Sequence, residues 1–188
     1  MPEHHAMNVC GLFHRLVRIG RDERGVSAIE FAMVLPVMLT IYLGAVEISQ
    51  GVAADRKVTL VARTVADLAS QAKTALGTQD MQNILNASAQ VIVPYDASKL
   101  KVTLSEVYID GNSNASIKWS CTLNGTKESG AVTPPAALVA PDIYLIWSEV
   151  SYAYTPAVGY VLTGTLNLSD RMYMRPRLSI SVPFSGTC

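Results

Sequence analysis

The sequence predicts an α+β protein with a long N-terminal transmembrane helix, which continues into an amphipathic stem packed on a small antiparallel β-sheet head. Three observations lead to this fold class. An uncharged apolar run occupies positions 31–46. Downstream, apolar residues recur at three- and four-residue steps as far as Ala72, which is typical of a helix with one buried face. From Lys99 the apolar period changes to two, which is typical of strands.

The apolar run is long enough to cross a bilayer. A helix from Gly25 to Glu47 rises about 33 Å at about 1.5 Å per residue, and a hydrocarbon core is about 30 Å thick. Four arginines lie upstream of the run, at positions 15, 18, 21 and 24, against Asp22 and Glu23. The first basic residues after the run are Arg56 and Lys57. The positive-inside rule therefore predicts a single-pass protein whose first 24 residues are cytoplasmic and whose chain beyond about residue 50 is outside.

These patterns divide the chain into four parts. Residues 1–25 are a cytoplasmic leader, 26–47 a transmembrane helix, 48–93 a helical stem, and 94–188 an extracytoplasmic β-rich head. A chain of 188 residues with 49% hydrophobic residues and zero formal net charge is expected to form one anchored domain. The charge balance gives no reason to expect a nucleic-acid partner.

The stem is predicted to contain two helices. The first has an apolar face that is expected to be buried, made of Ile48, Val52, Leu60, Val61, Val65, Leu68 and Ala72. Gly77 is expected to end this helix, and Thr78 to cap a second one that ends before Pro94. The apolar positions of the second helix follow the same period, namely Met81, Ile84, Leu85, Ala89 and Ile92.

The head is predicted to begin with a β-hairpin. A strand from Lys99 leads to a turn at 110–114 and to a second strand at 116–123. In the second strand, one face is expected to carry Ile117, Trp119, Cys121 and Leu123.

The rest of the head is predicted to be a loop, a central strand, a variable segment and a last strand. Glycines and prolines indicate the loop at 124–141, and the apolar and aromatic run at 143–154 indicates the central strand. Residues 158–168 are expected to form a loop or short helix at the membrane surface. Alternation at 171–184 indicates the last strand, with Pro176 at a bulge or edge.

The start of the helix carries a recognisable motif. Gly25-Val-Ser-Ala-Ile-Glu30-Phe31 resembles the prepilin-peptidase site of the pilin superfamily, in which cleavage follows the glycine and the fifth new residue is a glutamate followed by an aromatic. The wider run RDERGVSAIEFAMVLPVMLTIYLGAVEISQG is similar to the TadE/TadG-like family of pilus assembly proteins, pilin-like minor components of Flp (tight adherence) pilus machinery. Segments 151–156 and 174–178 resemble the closing motifs of that family.

The resemblance implies a function and a set of site residues. It implies processing between Gly25 and Val26 by a prepilin peptidase, and a non-enzymatic role in assembling or initiating Flp-type pili. The helix would pack in the bacterial inner membrane beside other pilin-like subunits and pilus platform proteins, through Glu30, Phe31 and Pro36. Glu30 would neutralise the new α-amino group of a neighbouring subunit. Pro36 predicts a kink because it removes one helix hydrogen bond.

Three alternatives remain open for this helix. Glu30 lies near the helix end, so it would also reach the cytoplasmic headgroups by snorkelling. The helix would then be a plain anchor for a cell-envelope binding module, with the leader retained. A secretory signal peptide cleaved in the fifties is a further alternative, although the apolar run exceeds the usual length of about 7 to 15 residues.

Two cysteines, Cys121 and Cys188, lie beyond the membrane run. An exported domain with an even pair is expected to form one disulfide, which would attach the C-terminal tail to the second strand. Free thiols or a link between chains are the alternatives.

The composition argues against an enzyme. All three histidines, His4, His5 and His14, lie in the leader with Cys10, and their spacing matches no zinc pattern. A Ser-His-Asp or Cys-His arrangement and a histidine metal site are therefore excluded from the exported part, and no cofactor is expected. Scattered carboxylates that would in principle supply a glycosidase pair are instead expected to be solvated, namely Asp96, Glu106, Asp110, Asp142 and Glu149. Aromatic residues on the central strand are expected to be core rather than a sugar or peptide site, namely Tyr144, Trp147, Tyr152 and Tyr154.

Overall fold

The computed structural model describes residues 24–156, 159 and 163–188. By chain contacts it divides into two units, one ending at Val46 and the other running from Glu47 to Cys188. In chain order, the elements are α1 (Arg24–Ser70), β1 (Leu76–Gly77), α2 (Thr78–Val91), β2 (Leu100–Ile109), β3 (Ala115–Leu123), β4 (Ile143–Tyr154), β5 (Leu166–Met174) and β6 (Phe184–Ser185). A long apolar helix followed by a small antiparallel sheet confirms the predicted α+β fold class.

Strands β2 to β5 form one antiparallel sheet in the order β3-β2-β4-β5. β2 and β4 pair over ten residues and occupy the centre, as predicted for β4. β1 and β6 form a separate parallel pair of two residues each. One face of the four-stranded sheet packs on helix residues, and part of the other is covered by apolar residues of the loop before β4.

The second half of α1 packs on the sheet through small side chains. The fully buried positions are Ala54, Val58, Val61, Ala62, Val65, Ala66 and Ala69. The prediction is therefore confirmed for Val61 and Val65, but it is wrong for four larger residues that are exposed, namely Ile48, Val52, Leu60 and Leu68. Small residues allow the helix backbone to approach the sheet closely, and the buried hydroxyl of Ser148 donates to the carbonyl of Ala62 at 2.7 Å.

The break between the helices contains the predicted Gly77, but the prediction that this residue ends the first helix is wrong. α1 ends at Ser70, and Gly77, not Thr78, is the capping residue of α2. The backbone N–H of Gly77 donates to Oδ2 of Asp80 at 3.0 Å, which satisfies one donor at the start of the helix. α2 then buries Met81, Ile84 and Leu85 against the sheet, as its sequence period predicts.

A β-bulge divides the apolar residues of β3 between the two faces of the sheet. Glu106 pairs with Trp119 and Val107 with Ile117, so Lys118 is the extra residue. Trp119 therefore packs on the helix-facing core and Ile117 on the opposite cluster. The prediction that both share one face is wrong, because a bulge reverses the alternation of side chains along the strand.

The last long strand lies earlier than the sequence pattern predicts. β5 spans Leu166–Met174, so the predicted strand at 171–184 is wrong beyond Met174. Leu178 and Ile180 are 55% and 84% exposed, whereas Val182 is fully buried. Part of the predicted loop at 158–168 lies outside the described residues, and its end belongs to β5.

Residues 175–188, the C-terminal strap, run back over the ends of the two helices. The N–H of Arg177 donates to the carbonyl of Ser70 at 2.8 Å, and the hydroxyl of Ser179 to that of Ala72 at 3.1 Å. The N–H of Leu76 donates to the carbonyl of Pro183 at 2.8 Å. These backbone contacts hold the end of α1 and the chain entering α2.

Candidate helix-packing site

The first half of α1 exposes its apolar side chains. Among the described residues, α1 is the one helix long and apolar enough to span a membrane by length and composition. Every side chain described from Gly25 to Tyr42 is exposed, including Phe31 at 63%. Exposed apolar surface of this extent is stable in lipid or against other apolar helices, and not in water.

Glu30 is the single charged residue between Gly25 and Val46. Its helical neighbours one turn before and after are Val26 and Val34, and both are exposed apolar residues. The helix therefore presents one carboxylate within an apolar stripe, a few residues from its first described turn. An ionisable group so placed in a membrane helix is usually functional.

The predicted processing residues lie at the start of the described part of α1. Gly25 and Val26 are both helical, and the described part of α1 begins at Arg24. A Cβ atom built on Gly25 would meet no atom within 4 Å, so a lack of room for a larger side chain is not the reason for a glycine at this position.

Pro36 lies inside α1, where it has no N–H to donate to the carbonyl of Ala32. The hydroxyl of Thr40 donates to the carbonyl of Pro36 at 2.9 Å. Pro36 and Thr40 therefore form a local irregularity within the exposed segment that also contains Glu30 and Phe31.

The structure joins Cys121 of β3 and Cys188 of the strap in a disulfide, with 5.5 Å between their Cα atoms. Cys121 is fully buried, and the side-chain amine of Lys127 lies 3.5 Å from the carbonyl of Cys188. The bond attaches the end of the C-terminal strap to an edge strand of the sheet.

Glu106 is a buried carboxylate whose role the sequence analysis missed. It is 2% exposed and accepts a hydrogen bond from the N–H of Val182 in the strap. The indole N–H of Trp119 donates to the carbonyl of the same Val182 at 2.8 Å. Burial raises the pKa of Glu106, an effect that the hydrogen bonds and Lys118 partly offset. The signal in the sequence was its position two residues after Leu104, on the buried face.

The other carboxylates of the head make separate structural contacts. Asp96 accepts from the N–H of Ser98, Asp110 from two N–H groups of its turn, Asp142 from the hydroxyl of Tyr108, and Glu149 from Arg171. Among residues 24–156, 159 and 163–188, no group of three or more potential metal ligands was found. The arrangement thus gives no support to a glycosidase or metal site.

The aromatic residues of β4 are core, as the sequence indicated. Trp147, Tyr152 and Tyr154 are at most 5% exposed, and Trp147 stacks on Tyr173 with ring centroids 5.9 Å apart. Tyr144 is half-buried and contacts the ring of Tyr108. None of these rings is presented as an open platform for a sugar.

Comparison with known proteins gave one match. A family model described as TadE-like protein matches residues 25–67. No curated protein and no solved structure matched. The match confirms the resemblance to a TadE/TadG-like pilus assembly family over most of α1, and it includes Gly25, Val26, Glu30, Phe31 and Pro36. It stops before the head.

Proposed function

We propose that this chain, whose long helix matches the TadE-like model, is a non-enzymatic, single-pass, pilin-like component that assists the assembly or initiation of Flp-type pili. One observation carries the proposal. The segment that the family model matches contains an exposed apolar helix whose single charge between Gly25 and Val46 is Glu30. A lone carboxylate in lipid is costly, so its presence in this apolar helix is best explained by a cationic partner group.

The chemistry of that partner follows from the motif. Cleavage after Gly25 would create an α-amino group on Val26, four residues before Glu30 and thus about one turn away. Along the helix the two groups are separated by about 6 Å, so two parallel copies offset axially by about that distance would pair the carboxylate of one with the amine of the other. Pilin-like subunits and platform proteins of the bacterial inner membrane are the proposed partners, with the N-terminus cytoplasmic and the head outside.

Glu30→Ala and Glu30→Gln test the proposal, with Asp55→Asn, an exposed acid farther along α1, as the matched control. Pilus formation is scored by electron microscopy in cells that produce each variant at equal membrane levels. We expect loss of pili with both Glu30 variants and normal pili with Asp55→Asn. Normal pili with Glu30→Ala would instead support a helix that serves only as an anchor.

The alternative function is a membrane-tethered binding module of the cell envelope. It is favoured by the boundary of the family match, since the four-stranded sheet and the strap lie beyond residue 67 and are not matched. Mass spectrometry of the mature N-terminus distinguishes these two functions. A start at Val26 supports the pilin-like role, and an intact leader supports the anchor.

A further inference from the structure

β5 is one of the two outer strands of the four-stranded sheet, and its outer edge is open. It pairs with β4 from Leu166 to Met174 without a bulge, and it contains no proline. At about 3.4 Å per residue, this edge is about 30 Å long. Among residues 24–156, 159 and 163–188, no backbone group forms a hydrogen bond with β5 from the side away from β4.

The opposite outer strand, β3, is covered. The N–H of Ile117 donates to the carbonyl of Gly130 at 3.1 Å, and the N–H of Val132 donates to that of Ala115 at 3.2 Å. Farther along β3, the disulfide holds Cys188 against the strand. An uncovered edge is a template for pairing with another chain, and proteins usually protect it with a proline, a bulge or a covering segment. Within the described part of the chain, β3 has such a cover and β5 has none.

The bonds at β3 also show which backbone groups of β5 point outward. In an antiparallel sheet, the backbone groups of successive residues point to alternate sides of the strand. Since Ala115 and Ile117 bond away from the sheet, the strand registers direct the backbone groups of Glu149 toward β2. Those of its β5 partner, Arg171, therefore point away from β4. Arg171 agrees with this assignment, because its N–H donates to Oδ1 of Asp170 at 2.7 Å.

Every second residue of β5 thus presents its backbone N–H and C=O groups at the outer edge, namely Asn167, Ser169, Arg171 and Tyr173. A row of donors and acceptors at this spacing is complementary to the backbone of an extended peptide, which adds to a sheet as a further strand. The neighbouring side chains also suit such a strand. Leu168, Met172 and Met174 are only partly buried against the core, and apolar residues at alternate positions of an added strand would cover them.

A second copy of the chain is a poor occupant of this edge. In antiparallel pairing of two β5 strands, the register that pairs all nine residues places Asp170 opposite Asp170. A shift of this centre by one residue in either direction loses two pairs, and one of the two shifts places Arg171 opposite Arg171. Like charges directly opposite each other are destabilising. A different polypeptide is free of this constraint.

We propose that β5 is the docking strand of the head, to which an extended segment of a different protein adds as a fifth strand. The segment carries apolar side chains at alternate positions, beside Leu168, Met172 and Met174. Asp170 controls access to the docking strand, because its carboxylate occupies the outward N–H of Arg171 until an added strand replaces it. This inference concerns the head alone and does not rest on the proposed function.

Binding of a synthetic strand by the full-length protein in phosphatidylcholine nanodiscs tests the docking strand. The probe is an uncharged, fluorophore-labelled peptide of alternating valine and threonine, and its fluorescence anisotropy is measured with protein-loaded and with empty nanodiscs. The control peptide has the same side chains but an N-methyl group on every amide, so it cannot donate hydrogen bonds to β5. We expect saturable binding of the first peptide to protein-loaded nanodiscs only, and at least tenfold weaker binding of the second.

Two substitutions in β5 are expected to change this binding in opposite directions. Ser169→Pro removes one outward N–H and leaves the ladder with β4 in place, because that N–H does not face β4. It should weaken binding several-fold, whereas the matched control Ser169→Ala should leave binding unchanged. Asp170→Ala frees the N–H of Arg171 and should strengthen binding several-fold, a gain that an unfolded head would not show.

Absence of saturable binding, equal binding of the two peptides, or equal binding by Ser169→Pro and Ser169→Ala would overturn the proposal. Weaker binding by Asp170→Ala would overturn the role of Asp170. Asp170→Cys in a Cys10→Ser background tests a second copy as the occupant, since identical residues opposite each other in a non-hydrogen-bonded pair are close enough for a disulfide. A disulfide between chains at this position after oxidation would assign the edge to another copy and overturn the proposal.

Discussion

The carboxylate of Glu106 accepts a hydrogen bond from the backbone N–H of Val182 at 2.5 Å, within the interior of the head. The two residues are 76 positions apart, and the contact attaches the C-terminal strap to a central strand of the sheet. Because Trp119 binds the carbonyl of Val182, both backbone polar groups of this buried residue are satisfied by side chains. These hydrogen bonds therefore hold the strap in a region where it forms no long ladder of strand pairing.

Loss of the Glu106 acceptor is expected to destabilise the head. Glu106→Ala leaves the buried N–H of Val182 unsatisfied, which costs about 1–3 kcal/mol. Glu106→Gln keeps an acceptor oxygen and should cost less. Urea unfolding of the detergent-solubilised full-length protein, followed by near-UV circular dichroism, measures both. Glu128→Ala, an exposed acid, is the control, and equal stability of Glu106→Ala and Glu128→Ala would contradict the assigned role.

The same carboxylate is expected to make stability depend on pH. Burial raises the folded-state pKa of Glu106 above its ordinary value of 4.5. Between those two values the folded state binds more protons than the unfolded state, so the contribution of Glu106 to stability falls as pH rises through this window. The difference in unfolding free energy between wild type and Glu106→Gln should therefore change with pH in that window. Well above this window the difference should be constant. A difference that does not change with pH anywhere would refute the raised pKa of Glu106.

The small-residue face of α1 is expected to be intolerant of larger side chains. Ala62 is fully buried against the sheet, and its carbonyl accepts from Ser148. Ala62→Leu should cost about 1–3 kcal/mol by overpacking, and Ser148→Ala about 1 kcal/mol by loss of the hydrogen bond. Ala53→Leu, on the exposed face of the same helix, should have little effect. The same urea unfolding measures all three, and equal effects of the two leucine variants would contradict this packing.

The sequence predicted correctly the elements that are determined by short-range patterns along the chain. The uncharged run predicted the exposed half of α1, and the period of α2 predicted its buried residues. Gly77 lies between the helices as expected, although α1 already ends at Ser70. The turn at 110–114 closes as its sequence indicates, since Asp110 accepts from the N–H groups of Asn112 and Asn114.

The predictions fail where contacts between residues distant in the sequence determine the local structure. The bulge at Lys118 places Ile117 on the opposite face, and no turn residue marks it in the sequence. In the strap, the alternation of Leu178 and Ile180 resembles that of a strand. Arg177 and Ser179, however, donate hydrogen bonds to carbonyls at and just after the end of α1, and this part of the strap pairs with no long strand. The three- and four-residue steps placed Leu60 on the buried face, but small residues such as Ala62 and Ala66 make the close contact with the sheet instead.

The disulfide is expected to stabilise the strap and not to join two chains. Cys121 and Cys188 are 67 positions apart, so their bond closes a long loop, and Cys188→Ser should cost about 2–4 kcal/mol by restoring entropy to the unfolded chain. Urea unfolding under non-reducing conditions gives the difference. Cys10→Ser, in the predicted leader, is the control and should leave stability unchanged. On non-reducing gels the wild type should run as a monomer that migrates more slowly once reduced, because reduction opens the loop. A dimer band that disappears on reduction, and that Cys188→Ser abolishes, would show instead that these cysteines pair between chains.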